Sequence, residues 1–232
     1  MLIMKKQDAI EIIRSTDTFR NMPANLIDKL AQSAGCDYYD QDCLLVRPNQ
    51  PWENLCFVMS GFIQARQRTA SGVEANGIPV QKGVWVSWNG VFGTPAANII
   101  RREIWVSENS QLLTIPCSKI REASQEWPQL YVQIIEEINY LFYLMHELLW
   151  FNHLLTGAKR VGRAILYQNA VSAFKDSKII EVTQERLAQT LNISRQTLSL
   201  HLQELQQQKF IEVGYGRLKI LDPEGLKEHT KI

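Results

Sequence analysis

The chain has 232 residues, 45% hydrophobic and 21% charged, with a formal net charge of +1. That is apolar content enough for one or two ordinary cores, and a charge too balanced to name a nucleic-acid or membrane partner in bulk. No apolar run approaches a membrane span, and Lys5-Lys6 follows the short apolar Met1–Met4 where a signal peptide needs its basic residues first, so a soluble, cytoplasmic protein without a membrane partner is expected.

The distribution of charge is more informative than its sum. From Ala158 onwards Lys and Arg outnumber Asp and Glu by 12 to 8, whereas before it they are outnumbered 13 to 16. A basic C-terminal part beside an acidic remainder fits two domains of which one meets phosphate. Cys36, Cys43, Cys56 and Cys117 are too few and too scattered for a disulfide framework. Cys56 and Cys117 are expected on strands, as buried and inert thiols.

In chain order, Gln7 to Ala34 reads as one or two short helices, with Pro23 at a helix start. Leu44 to Ile115 changes period. Runs of strand length, among them 55–59, 84–86 and 112–115, alternate with turn signals at Ser60-Gly61, Ser71-Gly72, Asn76-Gly77, Lys82-Gly83 and Asn89-Gly90. Many short strands with no helix between them predict an antiparallel barrel or roll.

Helical spacing returns from about Pro128 to Leu155. Ile134, Ile138, Leu141, Met145, Leu148, Asn152 and Leu155 alternate steps of four and three, the seam of a two-helix interface. Phe142, Leu144, Leu149, Trp150 and Phe151 make the helix apolar off that seam as well. The reading is a helix packed on the roll by one face and on a second subunit by another; a central helix buried within one chain is the alternative. Thr156-Gly157-Ala158-Lys159 interrupts the pattern as a hinge. Helical spacing resumes through Val161, Ile165 and Ala170 and stops near Lys175-Asp176-Ser177-Lys178.

Thr183 to Leu205 has the form of a helix-turn-helix. Thr183 is an N-cap candidate, with Arg186 where a capping box would have Glu. Leu187, Ala188 and Leu191 face inward, and Ala188 is small where two helices must cross closely. Asn192 tolerates the left-handed turn, and Ser194 caps the second helix. Leu198, Leu202 and Leu205 point inward while Arg195, Gln196, Ser199 and Leu200 point out. Arg195 can donate two bonds to guanine and Gln196 can pair with adenine. Two strand-like runs, 210–213 and 217–221, flank Gly214-Tyr215-Gly216 as a hairpin wing that offers Arg217 and Lys219 to phosphate. The DNA-binding set is therefore Thr183, Gln184, Ser194, Arg195, Gln196, Thr197, Ser199, Leu200, Arg217 and Lys219.

Val58-Met59-Ser60-Gly61, the long helix before a hinge, Val161-Gly162-Arg163, and Ile193-Ser194-Arg195-Gln196-Thr197-Leu198 resemble the cyclic-AMP receptor and fumarate–nitrate reduction (CRP/FNR) family over nearly the whole chain. The resemblance implies an α+β protein of three parts. An N-terminal antiparallel β-roll of the cyclic-nucleotide-binding type spans 1–127, a dimerisation helix 128–156, and a C-terminal winged helix-turn-helix 157–232. It further implies a homodimer, an effector held between roll and long helix, double-stranded DNA bound at a palindromic operator, and recruitment or blocking of RNA polymerase.

The chain departs from the family's pattern at three places. Leu200 stands where a second Arg is common, which alters base preference and offers an apolar contact to a thymine methyl. In cyclic-nucleotide binders Gly-Glu holds the ribose and Arg-Ser the phosphate. Here Trp88 stands near the Glu position, and an indole cannot accept from ribose hydroxyls. The long helix also lacks the family's Thr-Ser pair, so cyclic AMP is not the expected effector. Trp85, Trp88, Phe92, Arg101, Arg102, Met145, Leu148 and Leu149 are the candidate pocket, suited to an apolar or aromatic effector, and no cofactor is expected. An effector-independent regulator with a degenerate pocket is the alternative, followed by an iron–sulfur or haem sensor. No close Cys pair supports a cluster. His146 and His153, on one face of the long helix, are expected as ordinary polar positions, and His201 as a packed one. An enzyme on a similar roll would need strand-borne histidines, but the first His is His146. No catalytic residue or metal ligand is expected.

Overall fold

The structure, a computed structural model, describes residues 5–68, 74–77, 79–94, 98–171 and 178–231. The turn expected at Ser71-Gly72 and the helix stop at Lys175-Asp176-Ser177 lie outside these residues. The chain divides into two compact units, Met1–Tyr140 and Leu141–Ile232.

The first unit opens with helices α1 (Lys6–Ser15) and α2 (Ala24–Ser33). Among the described residues eleven short strands follow, with one helix among them. They are β1 (Gly35–Tyr39), β2 (Cys43–Val46), β3 (Gln50–Pro51), β4 (Asn54–Ser60), β5 (Phe62–Arg68), β6 (Glu74–Asn76), β7 (Val80–Gln81), β8 (Trp85–Val86), helix α3 (Trp88–Phe92), β9 (Ile99–Ile100), β10 (Glu103–Val106) and β11 (Ser110–Pro116). Helix α4 (Cys117–Glu126) and the start of the long helix α5 (Gln129–Leu154) complete the unit. All the pairing is antiparallel. One sheet runs β1-β11-β4-β8 and another β2-β10-β5-β6, with β7 also on β5 and β3 paired to β9.

Strand alternation sorts the core into two layers. Cys56, Val58 and Leu112 of the first sheet pack with Val46, Ile63, Ile104 and Val106 of the second, closing the roll. Leu55, Phe57, Leu113 and Ile115 alternate with them and are buried on the other face, which α2, α3 and α4 cover. The β4–β5 corner needs its glycine: Gly61 has φ +70°, and a Cβ there would lie 1.9 Å from Ser110 Oγ.

Two local expectations are corrected. The Asn89-Gly90 signal belongs to α3, a helix between strands, rather than to a turn. Cys117 is the first residue of α4 rather than a strand residue; its strand-like run ends at Pro116.

The second unit holds the rest of α5, then α6 (Gly157–Val171), β12 (Ile179–Glu181), α7 (Gln184–Leu191), α8 (Arg195–Gln207), β13 (Ile211–Gly214), β14 (Arg217–Ile220) and α9 (Pro223–His229). A three-stranded antiparallel sheet, β12-β14-β13, joins the wing hairpin to the strand before α7. Its core draws Val161 and Ile165 from α6, Leu187 and Leu191 from α7, Leu198, Leu202 and Leu205 from α8, and Leu218 and Leu226 from wing and α9. The backbone breaks between α5 and α6 as expected, at Leu155–Thr156, with Gly157 at φ +58°. The break is braced. Arg160 donates to Asn152 Oδ1 at 3.0 Å, Arg163 pairs with Glu147 at 3.5 Å, and the Arg163 guanidinium sits 3.8 Å from the Phe151 ring centroid.

Among the described residues no helix is long and apolar enough to cross a membrane.

Candidate nucleic-acid interface

Local chemistry fixes the helix pair. Thr183 accepts from the Arg186 N–H at 3.3 Å, starting α7. Asn192 ends it at φ 52°, ψ 47°, the left-handed conformation that Asn adopts at low cost. The Ile193 N–H then donates to the Ala188 carbonyl at 3.0 Å. Ser194 Oγ accepts from the Thr197 N–H at 3.0 Å and lies 2.8 Å from Thr197 Oγ1, so α8 begins with a satisfied donor. Behind the pair, Arg160 donates to the Leu191 carbonyl at 2.9 Å, holding the end of α7 from α6.

With Leu198, Leu202 and Leu205 locked into the core, the opposite face of α8 is presented to solvent. Arg195, Gln196, Thr197 and Leu200 are exposed, Leu200 by 66%, and Ser199 is half-buried. Arg195 and Gln196 make no bond to their own chain among the described residues. They sit in the first turn of a 13-residue helix, where unpaired N–H groups and the helix dipole attract phosphate. Thr183 is exposed and Gln184 half-buried at the start of α7, while Arg217 and Lys219 are exposed on β14. Sequence reasoning missed Tyr215, which stands fully exposed at the hairpin tip. His201 is half-buried, with Nδ1 3.9 Å from Glu204 Oε2 and its ring near Gly157.

The residues expected to meet an effector are placed differently. Trp85 and Trp88 are 2% and 7% exposed and belong to an aromatic core. Phe19 lies 5.2 Å from Trp85 and 6.3 Å from Trp88, and Phe57 lies 5.0 Å from Trp85. Phe92 is exposed on α3, 5.3 Å from Tyr131; Arg101 and Arg102 are exposed, the latter donating to Gln67. Met145 and Leu149 are exposed and Leu148 half-buried on α5.

The stretch that would cradle a cyclic nucleotide is filled by the chain itself. Ser87 takes φ +81°, Arg121 donates to the Gly90 and Val91 carbonyls at 2.8 and 3.1 Å, and a Cβ on Gly90 would lie 2.3 Å from the Trp52 carbonyl oxygen. Trp88, near the position of the family's ribose-binding Glu, is buried. Burial pushes Cys56 up to about 12 and Cys117 to about 11, and no three His, Cys, Asp or Glu side chains converge among the described residues.

The dimer seam expected from the sequence is divided by the structure. Ile134 and Leu155 are buried, Ile138, Leu141 and Leu148 are half-buried, and Met145 and Asn152 are exposed.

Residues 159–229 match the model of the Crp-like helix-turn-helix domain. The C-terminal part is a Crp-like helix-turn-helix domain. Solved structures share the fold over most of the chain. FixK2 of Bradyrhizobium japonicum is 15% identical with a TM-score of 0.67, over 86% of this chain and 98% of that one. A CooA mutant from Carboxydothermus hydrogenoformans is 17% identical at 0.64, over 86% and 89%. CLP, the c-di-GMP-responsive global regulator of Xanthomonas campestris, is 15% identical at 0.61, over 85% and 99%. No curated protein matches the sequence. The helix-turn-helix match and the shared fold agree with the resemblance that the chain's motifs carry.

Proposed function

We propose that this CRP/FNR-type chain acts as a homodimer that reads a palindromic operator, each protomer placing α8 in a major groove, and that it recruits or blocks RNA polymerase there rather than catalysing a reaction. The observation that carries the reading is the first turn of α8. Arg195 and Gln196 are exposed and unengaged on a helix immobilised from behind by three buried leucines. A bidentate Arg–guanine contact contributes about 1–3 kcal/mol of discrimination. Arg195→Ala should therefore weaken specific binding by roughly that amount and relax base choice at one position per half-site, read by gel shift on sites selected from random DNA. Unchanged affinity and preference would overturn the assignment.

The effector in this reading is a small molecule other than a cyclic nucleotide. It is supported by two buried indole N–H groups, Trp85 Nε1 and Trp88 Nε1, that have no acceptor among the described residues and that an oxygen-bearing ligand would satisfy. The tight packing of the same two rings with Phe19 and Phe57 favours a second reading, regulation without an effector. Thermal melting against aromatic acids, nucleotides, haem and 2-oxoglutarate separates them. A shift of several degrees with one ligand supports the first, and none with any supports the second.

A further inference from the structure

The wing ends in a side chain that does nothing for its own domain. β13 and β14 pair Gly214 with Arg217, so the hairpin turns on Tyr215 and Gly216 alone. Tyr215 is 106% exposed and makes no hydrogen bond or ring contact among the described residues. The strands behind it are fixed. Leu218 and Ile220 are buried in the domain core, and Val213, opposite Leu218, packs against it. A rigid support therefore carries an aromatic ring two residues beyond its last anchored pair. Gly216 takes φ +65°, and a Cβ there would meet nothing within 4 Å, so the chain leaves the space beside the ring open. A Cβ on Gly214 would lie 3.1 Å from Arg217 Cγ; the Arg217 side chain runs across that glycine and keeps a cation next to the tip.

Charge and shape select the occupant. Arg217 and Lys219 alternate with buried Leu218 and Ile220, so both cations leave the same exposed face of β14, about 7 Å apart, and suit one phosphate strand of a duplex. The phosphate ridge that borders a major groove borders a minor groove on its other side. A hairpin whose cations hold that ridge carries its tip over the minor groove. That groove is about 6 Å wide, too narrow for a helix but open to a flat ring entering edge-on. Inside it the ring meets two walls of deoxyribose, apolar surface against which burial of an aromatic side chain is favourable. The fit depends on sequence through shape. A·T-rich steps narrow the groove around the ring, whereas each G·C pair adds the guanine amino group to its floor.

We infer that Tyr215 enters the minor groove next to the major groove occupied by α8, and that through it the wing selects A·T-rich flanks by groove shape. The inference rests on the DNA-binding reading of α8 and names a further specificity-determining residue for the same partner. Arg217 and Lys219 supply affinity common to all sequences. Tyr215 supplies discrimination outside the bases that Arg195 and Gln196 face.

Fluorescence anisotropy on the site selected from random DNA tests this, with the base pairs flanking it on each side changed from A·T to G·C and to inosine·C. Inosine keeps the major-groove face of guanine and lacks its minor-groove amino group. The wild type is expected to bind the A·T and inosine·C flanks about fivefold more tightly than the G·C flank. Tyr215→Ala, with its fold verified by circular dichroism, is expected to bind all three flanks equally, about fivefold more weakly than the wild type binds A·T. Its salt slope should match the wild type's, because a neutral side chain releases no counterion. A wild type indifferent to the flank, an inosine·C flank that behaves as G·C, or a preference that survives in Tyr215→Ala each overturns the minor-groove contact and leaves the reading by α8 standing. A wild type that selects no site from random DNA overturns both.

Discussion

Gly162→Ala sets two opposed effects against each other. In the interior of α6, alanine is favoured over glycine by about 1 kcal/mol of backbone propensity. The added methyl, however, would lie 2.9 Å from Leu226 Cδ1, 3.0 Å from Thr230 Cγ2 and 3.6 Å from Leu205 Cδ2. Carbon atoms pack best at about 3.5–4.0 Å, so two of the three contacts are short by roughly half an ångström. Neither neighbour has room to retreat. Leu226 and Thr230 are both 0% exposed, and Thr230 Oγ1 donates to the Leu226 carbonyl at 2.9 Å, tying them into one unit at the end of α9. Overfilling a packed core costs about 1–3 kcal/mol, which exceeds the propensity gain and leaves a net loss of about 1 kcal/mol. Urea unfolding should be followed by ellipticity and by tryptophan emission together, because no Trp lies in 159–229 and five of the six lie in the first unit. The ellipticity midpoint should fall by about 0.3–1 M while the emission midpoint holds. A variant more stable than wild type by the full propensity gain would refute the close packing of α6 on α9.

Two further outcomes are expected. Arg217→Ala and Lys219→Ala should each weaken binding about equally on all sequences and lower the salt slope of log K by about 1, in a titration of affinity against salt; a changed base preference would mean the wing reads bases. Iodoacetamide at about pH 8 should label Cys36 and Cys43 before Cys56 and Cys117 by mass spectrometry, because a raised pKa keeps the latter two as thiols until pH climbs past about 11. Equal labelling rates would show that the roll core opens readily.

The C-terminal domain was the most legible part because its signals are local. Thr183, Asn192 and Ser194 each satisfy a backbone group within a few residues, and those bonds are present as read. What was not legible depended on distance. β12 and α9 are three and seven residues long, too short to show a period. The start of α4 at Cys117 continued an apolar run that looked like strand. Helix α5 is apolar on nearly every side, so spacing alone does not say which of its residues its own chain buries, as it does Ile134 and Leu155. Trp85 and Trp88 suit a core and a ligand site equally well by composition, and Phe19, some 66 residues before Trp85 in the chain, is what fills the space between them.

Arg160 reaches across the gap in the helical rod, gripping a side chain before it and a main-chain oxygen at the far end of the reading pair's first member. Twist arriving along the last turns of α5 therefore has a route to the reading head through one guanidinium, bypassing the pliant link at Thr156-Gly157. A lysine at that position, with a single point of charge in place of a planar fork, would slacken the transmission while leaving both ends of it folded.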